Sequence, residues 1–284
     1  MDVSSPDDDA QTKLWNGPAG RAWVDTQQAL DQMFQPFEEL LVEAVSVRSR
    51  GHVLDVGCGT GSTTLAIARR LAGQGRCTGI DISEPMIRAA WVRAEREHTP
   101  ASFICANAQT HGFAPAGFDM IVSRFGVMFF DDPVRAFANL RRAASDDVEL
   151  RFIAWRSAAE NPFMTTAERA ATPLLPQLPA RRPDAPGQFA FADRRRVQRI
   201  LEEGGWAEID VRQIDVACTL PEKELVPYLS RLGPVGLALH AADDRSRSQV
   251  IAAVRAAFEP YVHADEVRFT AACWMVGARA PRAT

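Results

Sequence analysis

Lysine is almost missing from this chain: only Lys13 and Lys223 occur, and the rest of the basic charge is arginine. With 32 basic against 36 acidic residues the formal net charge is −4. No basic face is evident that would gather phosphates, so nucleic acid is not an expected partner. Tyrosine is nearly as scarce, limited to Tyr228 and Tyr261. The five cysteines, Cys58, Cys77, Cys105, Cys218 and Cys273, are odd in number and never spaced as CxxC. That argues against a disulfide framework or a zinc knuckle and for buried free thiols. No apolar run reaches the roughly 20 residues that cross a bilayer. The opening segment MDVSSPDDDA is acidic and has no charged-then-apolar secretion pattern. A cytoplasmic protein without a membrane span is therefore expected, and no internal repeat is visible.

What is present is ordinary globular material, 46% apolar and 24% charged over 284 residues. That length suits one large domain, or a core with a lid. Residues 1–12 lack large apolar groups and read as a disordered tail. Residues 13–50 read as a helical cap. In it WNGPAGRAW (15–23) is turn-rich, and Leu30, Met33, Phe34, Phe37, Leu40, Leu41 and Ala44 recur at helical spacing. A core follows over 51–156, with strands at 52–56, 77–81, 101–106, 118–123 and 148–155 separated by helices. Residues 157–192, rich in Pro, Ala and Phe, read as an insertion or lid. The end of the core, 193–284, adds strands at 207–216 and 267–279 around a helical insertion at 221–262. Strands alternating with helices imply parallel βαβ units. The expected fold is α/β: a doubly wound, mostly parallel, seven-stranded sheet, Rossmann-like, with an N-terminal helical segment and helical lid insertions. Such sheets bind ligands at the carboxyl ends of their strands, where the strand order reverses.

The most informative stretch is VLDVGCGTG (53–61), in which a strand ends in alternating glycines, Gly57, Gly59 and Gly61. Glycine permits a sharp turn and close approach of a ligand to the backbone. The helix that follows points its positive end at that ligand. Asp81 closes the second strand, where a carboxylate can accept from both hydroxyls of a ribose. Dinucleotide enzymes use G-x-G-x-x-G to place a pyrophosphate. Here the spacing is G-x-G-x-G, and Asp55 stands two residues before the first glycine. An acid beside the loop suits a cationic ligand better than a pyrophosphate. Asn107, Ala108 and Gln109 after the third strand, and Ser123 and Arg124 at the end of the fourth, complete the constellation.

These pieces, together with WNGPAGRAW, GIDISEPMI, CANAQTHGF, FDMIVSRFGVMFF and FIAWRSAAENPF, resemble the class I S-adenosylmethionine-dependent methyltransferases. The likeness is greatest to the group that includes the ubiquinone and menaquinone C-methyltransferases, and it covers most of residues 15–155. The resemblance implies S-adenosyl-L-methionine as cofactor. Backbone at Gly57 and Gly59 would contact its methionine part, and Asp81 its ribose. Ile82 and Met86 would pack on adenine, Ala108 with Asn107 and Gln109 would meet the adenine edge, and Ser123 would line the methionine end. Trp15, Gly20 and Trp23 would close over the site, with Asp55, Cys58, Gly61 and Arg124 completing it. Two departures stand out: Asn107 replaces the family's usual Asp, and Asp146-Asp147-Val148 replaces Pro-Gly-Gly before the fifth strand.

Methyl transfer to a small organic acceptor is the implied activity. It is an in-line displacement, so positioning the nucleophile is the main task. A base is needed only if the acceptor must lose a proton. His240, on the apolar stretch VGLALH, is the favoured base candidate; His111, His263, Tyr228 and Tyr261 are others. The fourth strand ends in Ser123 and Arg124 with no acid, and Asp131 and Asp132 before Pro133 read as an N-cap, so no metal is expected. The expected acceptor pocket contains Phe125, Met128, Phe129, Trp155, Phe163 and Phe189, with Phe130 and Phe191 nearby. The chain is expected to be a monomer or homodimer. The alternative is a non-catalytic protein that binds the cofactor, or acts through partners, on the same fold.

Overall fold

The computed structural model describes residues 8–45, 51–182 and 185–282. At its centre lies an eight-stranded sheet with main path β3-β2-β1-β4-β5-β8-β6. Its strands are β1 (His52–Val56), β2 (Arg76–Asp81), β3 (Ser102–Cys105), β4 (Phe118–Arg124), β5 (Ala144–Trp155), β6 (Ala207–Pro221), β7 (Val262–His263) and β8 (Glu266–Arg279). β1 to β5 are parallel, and β8 runs antiparallel to both β5 and β6. The seven strands of the main path are those expected from the sequence. β7 is a two-residue addition that pairs only with β8.

Helices cover both faces: α4 (Ser62–Leu71), α5 (Glu84–Arg96), α6 (Pro133–Ala143) and α8 (Arg194–Glu203) connect the strands. Their starts obey local rules. Asp132 caps α6 by accepting from the Arg135 N–H, with Pro133 in the first turn. Asp193 caps α8 through the N–H groups of Arg195 and Arg196. Because both faces are covered, β1 is buried along nearly its whole length. The strand order reverses between β1 and β4, so the crevice above their carboxyl ends is the natural ligand site.

The N-terminal segment differs from its sequence reading. α1 (Asp8–Asn16) takes in residues expected to be disordered, while residues 1–7 lie outside the described residues. WNGPAGRAW is not a run of turns but the junction of α1 with α2 (Pro18–Asp25), broken only at Gly17. Pro18 sits in the first turn of α2, where its missing N–H costs nothing. α3 (Gln27–Ala44) follows and buries Met33, Phe37 and Leu41 against the sheet. Phe37 meets Phe125 edge-on at 5.0 Å, and Phe125 stacks on Trp155 at 4.7 Å. This aromatic block joins the N-terminal helices to the carboxyl ends of β4 and β5.

The insertions hold more helix than expected. α7 (Pro162–Ala171) forms in the 157–192 stretch, and α9 (Leu225–Arg231), α10 (Gly233–His240) and α11 (Asp244–Ala257) lie between β6 and β7. Phe163 of α7 fastens the group, stacking on Phe269 at 3.8 Å and meeting Phe258 at 5.0 Å. Asp146 and Asp147 do not make a turn before β5. They form a bulge inside it, with Asp147 at φ +61. Arg279 and Arg282 pair with Asp147 there.

Candidate active site

Two glycine-bearing loops cross at the carboxyl ends of β1 and β4. Gly57 has φ +67, and a Cβ on it would lie 2.5 Å from the Gly126 Cα. Only glycine on both sides permits that approach. Ser123 pins the crossing: its hydroxyl donates to the Val56 carbonyl at 2.7 Å and accepts from the Gly126 N–H at 3.2 Å. The loop after β1 is held from the other side by β2. The N–H groups of Gly57 and Cys58 donate to the Ile80 carbonyl at 2.8 and 3.1 Å. Asp81 completes the tie, accepting from the Gly59 N–H at 2.8 Å and the Ser83 N–H at 2.9 Å. Burial pushes the Asp81 carboxyl up from its ordinary value, opposed by the N–H groups of Ser83, Gly59 and Ile82.

Above this crossing lies a cleft of about 980 Å³, its mouth included. Its floor is Val56 to Thr60; Ile80, Asp81, Ile82 and Met86 form one wall, and Ala106 to Gln109 another. Gln11, Trp15 and Trp23 close it from the N-terminal side. That closure is built, not incidental. The Asn16 amide donates to the Ile82 carbonyl at 3.0 Å and its oxygen accepts from the Glu84 N–H at 2.8 Å. The Ser83 hydroxyl donates to the Trp15 carbonyl at 2.7 Å. Trp15 meets Trp23 at 6.0 Å and Phe129 at 5.1 Å, both edge-on.

The cleft gathers most of the residues expected at a cofactor site: Trp15, Trp23, Gly57, Cys58, Gly59, Asp81, Ile82, Met86, Asn107, Ala108, Gln109 and Arg124. Four others take supporting places outside its lining. Gly61, at φ +84, caps α4 against Ala90 and Phe103. Gly20 lets α2 pass the Trp15 carbonyl, where a Cβ would lie 1.9 Å away. Ser123 is fully buried in the loop crossing. Asp55 is buried beneath the floor, accepting from the Thr64 hydroxyl at 2.6 Å. The Asn107 oxygen turns back to its own loop, accepting from the Gln109 N–H at 2.9 Å. The Gln109 oxygen in turn accepts from the Asp132 N–H at 2.8 Å.

Sequence reasoning missed Gln11, Phe34, Gly126 and Asp131, all of which line the cleft. Gly126 follows β4 closely in the sequence, but its partnership with Gly57 is a long-range contact. Phe34 was read only as a core position of its helix.

Residues 53–147 match the family model described as "Methyltransferase domain". The chain is 32% identical over 149 residues to aklanonic acid methyltransferase of Streptomyces sp. (strain C5), covering 51% of this chain and 66% of that one. It is 32% identical over 117 residues to nocamycin O-methyltransferase of Saccharothrix syringae, covering 41% of this chain and 42% of that one. The matched part thus spans about two fifths to two thirds of these relatives' lengths. Among solved structures, the YcgJ protein of Bacillus subtilis superposes with a TM-score of 0.56 at 16% identity, covering 87% of this chain and 98% of that one.

Residues 53–147 carry a methyltransferase domain, and the two relatives named above are methyltransferases.

The cleft fits S-adenosylmethionine, the cofactor of class I methyltransferases, on its own chemistry. The Asp55 Oδ1 is buried with no hydrogen-bond partner, a negative charge in search of a positive one. Burial pushes the Asp55 carboxyl up to about 6, with Thr64 and Arg124 working against the rise and Asp81 and Glu38 adding to it. Glu38 is itself held by the Ser62 hydroxyl. Three acids thus surround a loop that would face a sulfonium and an ammonium, the wrong set for a pyrophosphate. Asp81 would hold the ribose, backbone at Gly57 and Gly59 the amino-acid end, and Met86 and Ile82 the adenine. Cys58, whose thiol burial pushes well up, stays neutral.

The raised Asp55 value has a signed consequence. The folded chain holds this proton more tightly than the unfolded chain does. The group's contribution to stability is therefore full below 3.8 and is lost as pH rises through about 6. A cation in the cleft favours the ionised form. Adenosylmethionine affinity should therefore increase between roughly pH 5 and pH 7. Calorimetric titration across that range should show this rise, and Asp55→Asn should lose that part of it.

A second cavity, about 1540 Å³ with its mouth, adjoins the first and shares six lining residues with it: Gln11, Trp15, Trp23, Phe34, Phe125 and Phe129. Of the expected acceptor residues, Phe125, Met128, Phe129, Trp155 and Phe163 line it. Phe189 does not; it lies under the Arg181 guanidinium at 4.8 Å, facing a separate recess. Phe130 lines the cofactor cleft instead, and Phe191 is core. His240 is exposed at the end of α10 and lines neither cavity, as do neither His111 nor His263. Asp132 serves as the α6 cap. Among the described residues no group of three or more His, Cys, Asp or Glu is arranged to hold a metal ion. Nor is any described helix long and apolar enough to cross a membrane.

Proposed function

We propose that this chain transfers the methyl group of S-adenosylmethionine to an apolar small molecule seated in the second cavity. The observation that carries the reading is the shared aromatic wall: Trp15, Phe125 and Phe129 border both spaces. A donor in one and an acceptor in the other would meet without crossing bulk water. When bound, the cofactor supplies a methyl group already activated on a cationic sulfur.

What the chain's own residues do is orientation. Trp15, Trp23 and Phe129 exclude water from the junction, and the Phe125–Trp155 stack gives a flat acceptor a rigid platform. The second cavity offers no evident base among the described residues. Both oxygens of Glu168 are taken by the Arg181 guanidinium. The Tyr228 hydroxyl is pushed well up by burial, so it stays protonated and acts as a donor. The acceptor therefore has to bring a nucleophile that needs no help in losing a proton, and acceleration comes from alignment. The named relatives, which act on aklanonic acid and nocamycin, support a small organic acceptor.

The purified chain with adenosylmethionine and a panel of phenols, amines, quinols and organic acids tests this. Acceptor-dependent formation of S-adenosylhomocysteine together with a methylated product is the expected result. Cofactor binding with no turnover of any acceptor would point to a non-catalytic binding protein and contradict the proposal.

A further inference from the structure

Resting on that reading, we infer that the acceptor carries a single carboxylate, held by Arg231 and Tyr228 on one side of the second cavity. The two residues stand three apart on α9, so they share a helix face, and both line the cavity.

The charges in this space are few. Glu168 and Arg181 cancel in a forked pair, with Glu168 accepting from Nε at 2.7 Å and from a second guanidinium nitrogen. Arg231 is left over. It makes no hydrogen bond, ion pair or ring contact with any described residue, whereas Arg93, Arg156, Arg247 and Arg255 all hold acid partners. The cavity's described side chains thus sum to one positive charge.

Tyr228 is the second observation. Its hydroxyl finds only the Met164 sulfur, at 3.7 Å. A thioether is a weak acceptor, so a ligand oxygen would draw the hydroxyl away at little cost.

The Arg231 guanidinium can only donate, and the protonated Tyr228 hydroxyl is free to donate to a ligand oxygen. That pair selects an anion and disfavours an amine, whose N–H groups would face guanidinium. A guanidinium fork matches a carboxylate with two parallel bonds. Arg231 is exposed to solvent, so it offers one positive charge at the cavity's edge, enough to pair with one carboxylate but not to neutralise a dianion such as a phosphate monoester. The remaining walls, Phe125, Trp155, Phe163 and Leu229 among them, suit a flat hydrocarbon skeleton. Arg231 is thus a specificity-determining residue for an apolar monocarboxylate.

Calorimetry on the full chain saturated with S-adenosylhomocysteine tests this, using 2-naphthoate and anthraquinone-2-carboxylate as probes and naphthalene-2-carboxamide and 2-naphthol as neutral counterparts. The carboxylates should bind at least roughly tenfold more tightly than the neutral probes, the worth of a charge-assisted hydrogen bond. Arg231→Ala should remove that advantage and leave S-adenosylhomocysteine affinity unchanged. Arg231→Lys should restore part of it, since the charge returns without the fork, and Tyr228→Phe should weaken the carboxylates several-fold. Equal affinity for acid and amide, failure of both carboxylates to bind, or an unaltered carboxylate affinity in Arg231→Ala would overturn the inference. Should S-adenosylhomocysteine itself fail to bind, the cofactor reading falls and this one with it. Should it bind while neutral phenols are methylated and acids ignored, methyl transfer stands and the assignment of Arg231 is wrong.

Discussion

Asp81→Asn should weaken adenosylmethionine binding roughly ten- to a hundredfold, corresponding to a loss of about 1.5–3 kcal/mol for a charge-assisted hydrogen bond. The reason lies in the demands placed on one carboxylate. Its two oxygens already accept from the Gly59 and Ser83 N–H groups, and the ribose hydroxyls would add two more donors. A carboxylate has lone pairs enough for all four; an amide has one acceptor oxygen and turns an N–H₂ toward a backbone N–H. Stability should fall less than affinity, because the neutral side chain escapes the burial cost that pushes the carboxyl up. Calorimetric titration beside a thermal melt separates the two. Binding within threefold of the parent chain would remove Asp81 from the ribose site.

Gly57→Ala should be strongly damaging for so small a substitution. Two penalties add at this position. A left-handed backbone costs a side chain about 1–2 kcal/mol, and here φ is +67. The new methyl would also lie 2.5 Å from the Gly126 Cα, an overlap between two backbones that cannot be relieved by a rotamer change. Overpacking of that kind costs about 1–3 kcal/mol. A loss of about 3 kcal/mol should lower the melting temperature by roughly 6–12 °C for a chain of this size, and cofactor binding should go with the displaced loop. Gly73 is the internal control. Its φ is +78, yet nothing lies within 4 Å of a Cβ there, so Gly73→Ala should show only the first penalty, about 1–2 kcal/mol. Equal effects at the two positions would mean that the loop crossing contributes nothing.

The floor and one wall of the cleft are legible in the sequence because their signals are local. A buried strand, alternating glycines and an acid ending the next strand fall within thirty residues and follow from backbone geometry. Side-chain direction was harder. Ser123 and Arg124 both end β4, but successive residues of a strand point to opposite sides. Arg124 reaches the cleft, whereas Ser123 turns into the crossing with Val56. The N-terminal helix was misread for a different reason. The acidic composition of residues 8–12 gives no apolar face, and α1 is fastened by tertiary bonds such as Asn16 to Ile82 and Glu84. Gln11 was lost with it, although its side chain accepts from the Trp15 indole at the cleft. His240 and Phe189 failed because the packing of the insertions is long-range. An apolar stretch such as VGLALH buries Val235 and Leu239 and leaves its histidine in water.

The central claim is that the crossing of Gly57 with Gly126, closed by Asp81 and covered by Trp15, is a seat for a sulfonium nucleoside. A crystal structure of the chain with S-adenosylhomocysteine tests it most directly. The expected result places the ribose hydroxyls on the Asp81 carboxylate, the amino-acid end against the Gly57–Gly59 backbone, and the sulfur toward the wall of Phe125 and Phe129. Density for the nucleoside elsewhere, or a cleft filled by the chain's own side chains at saturating ligand, would contradict it.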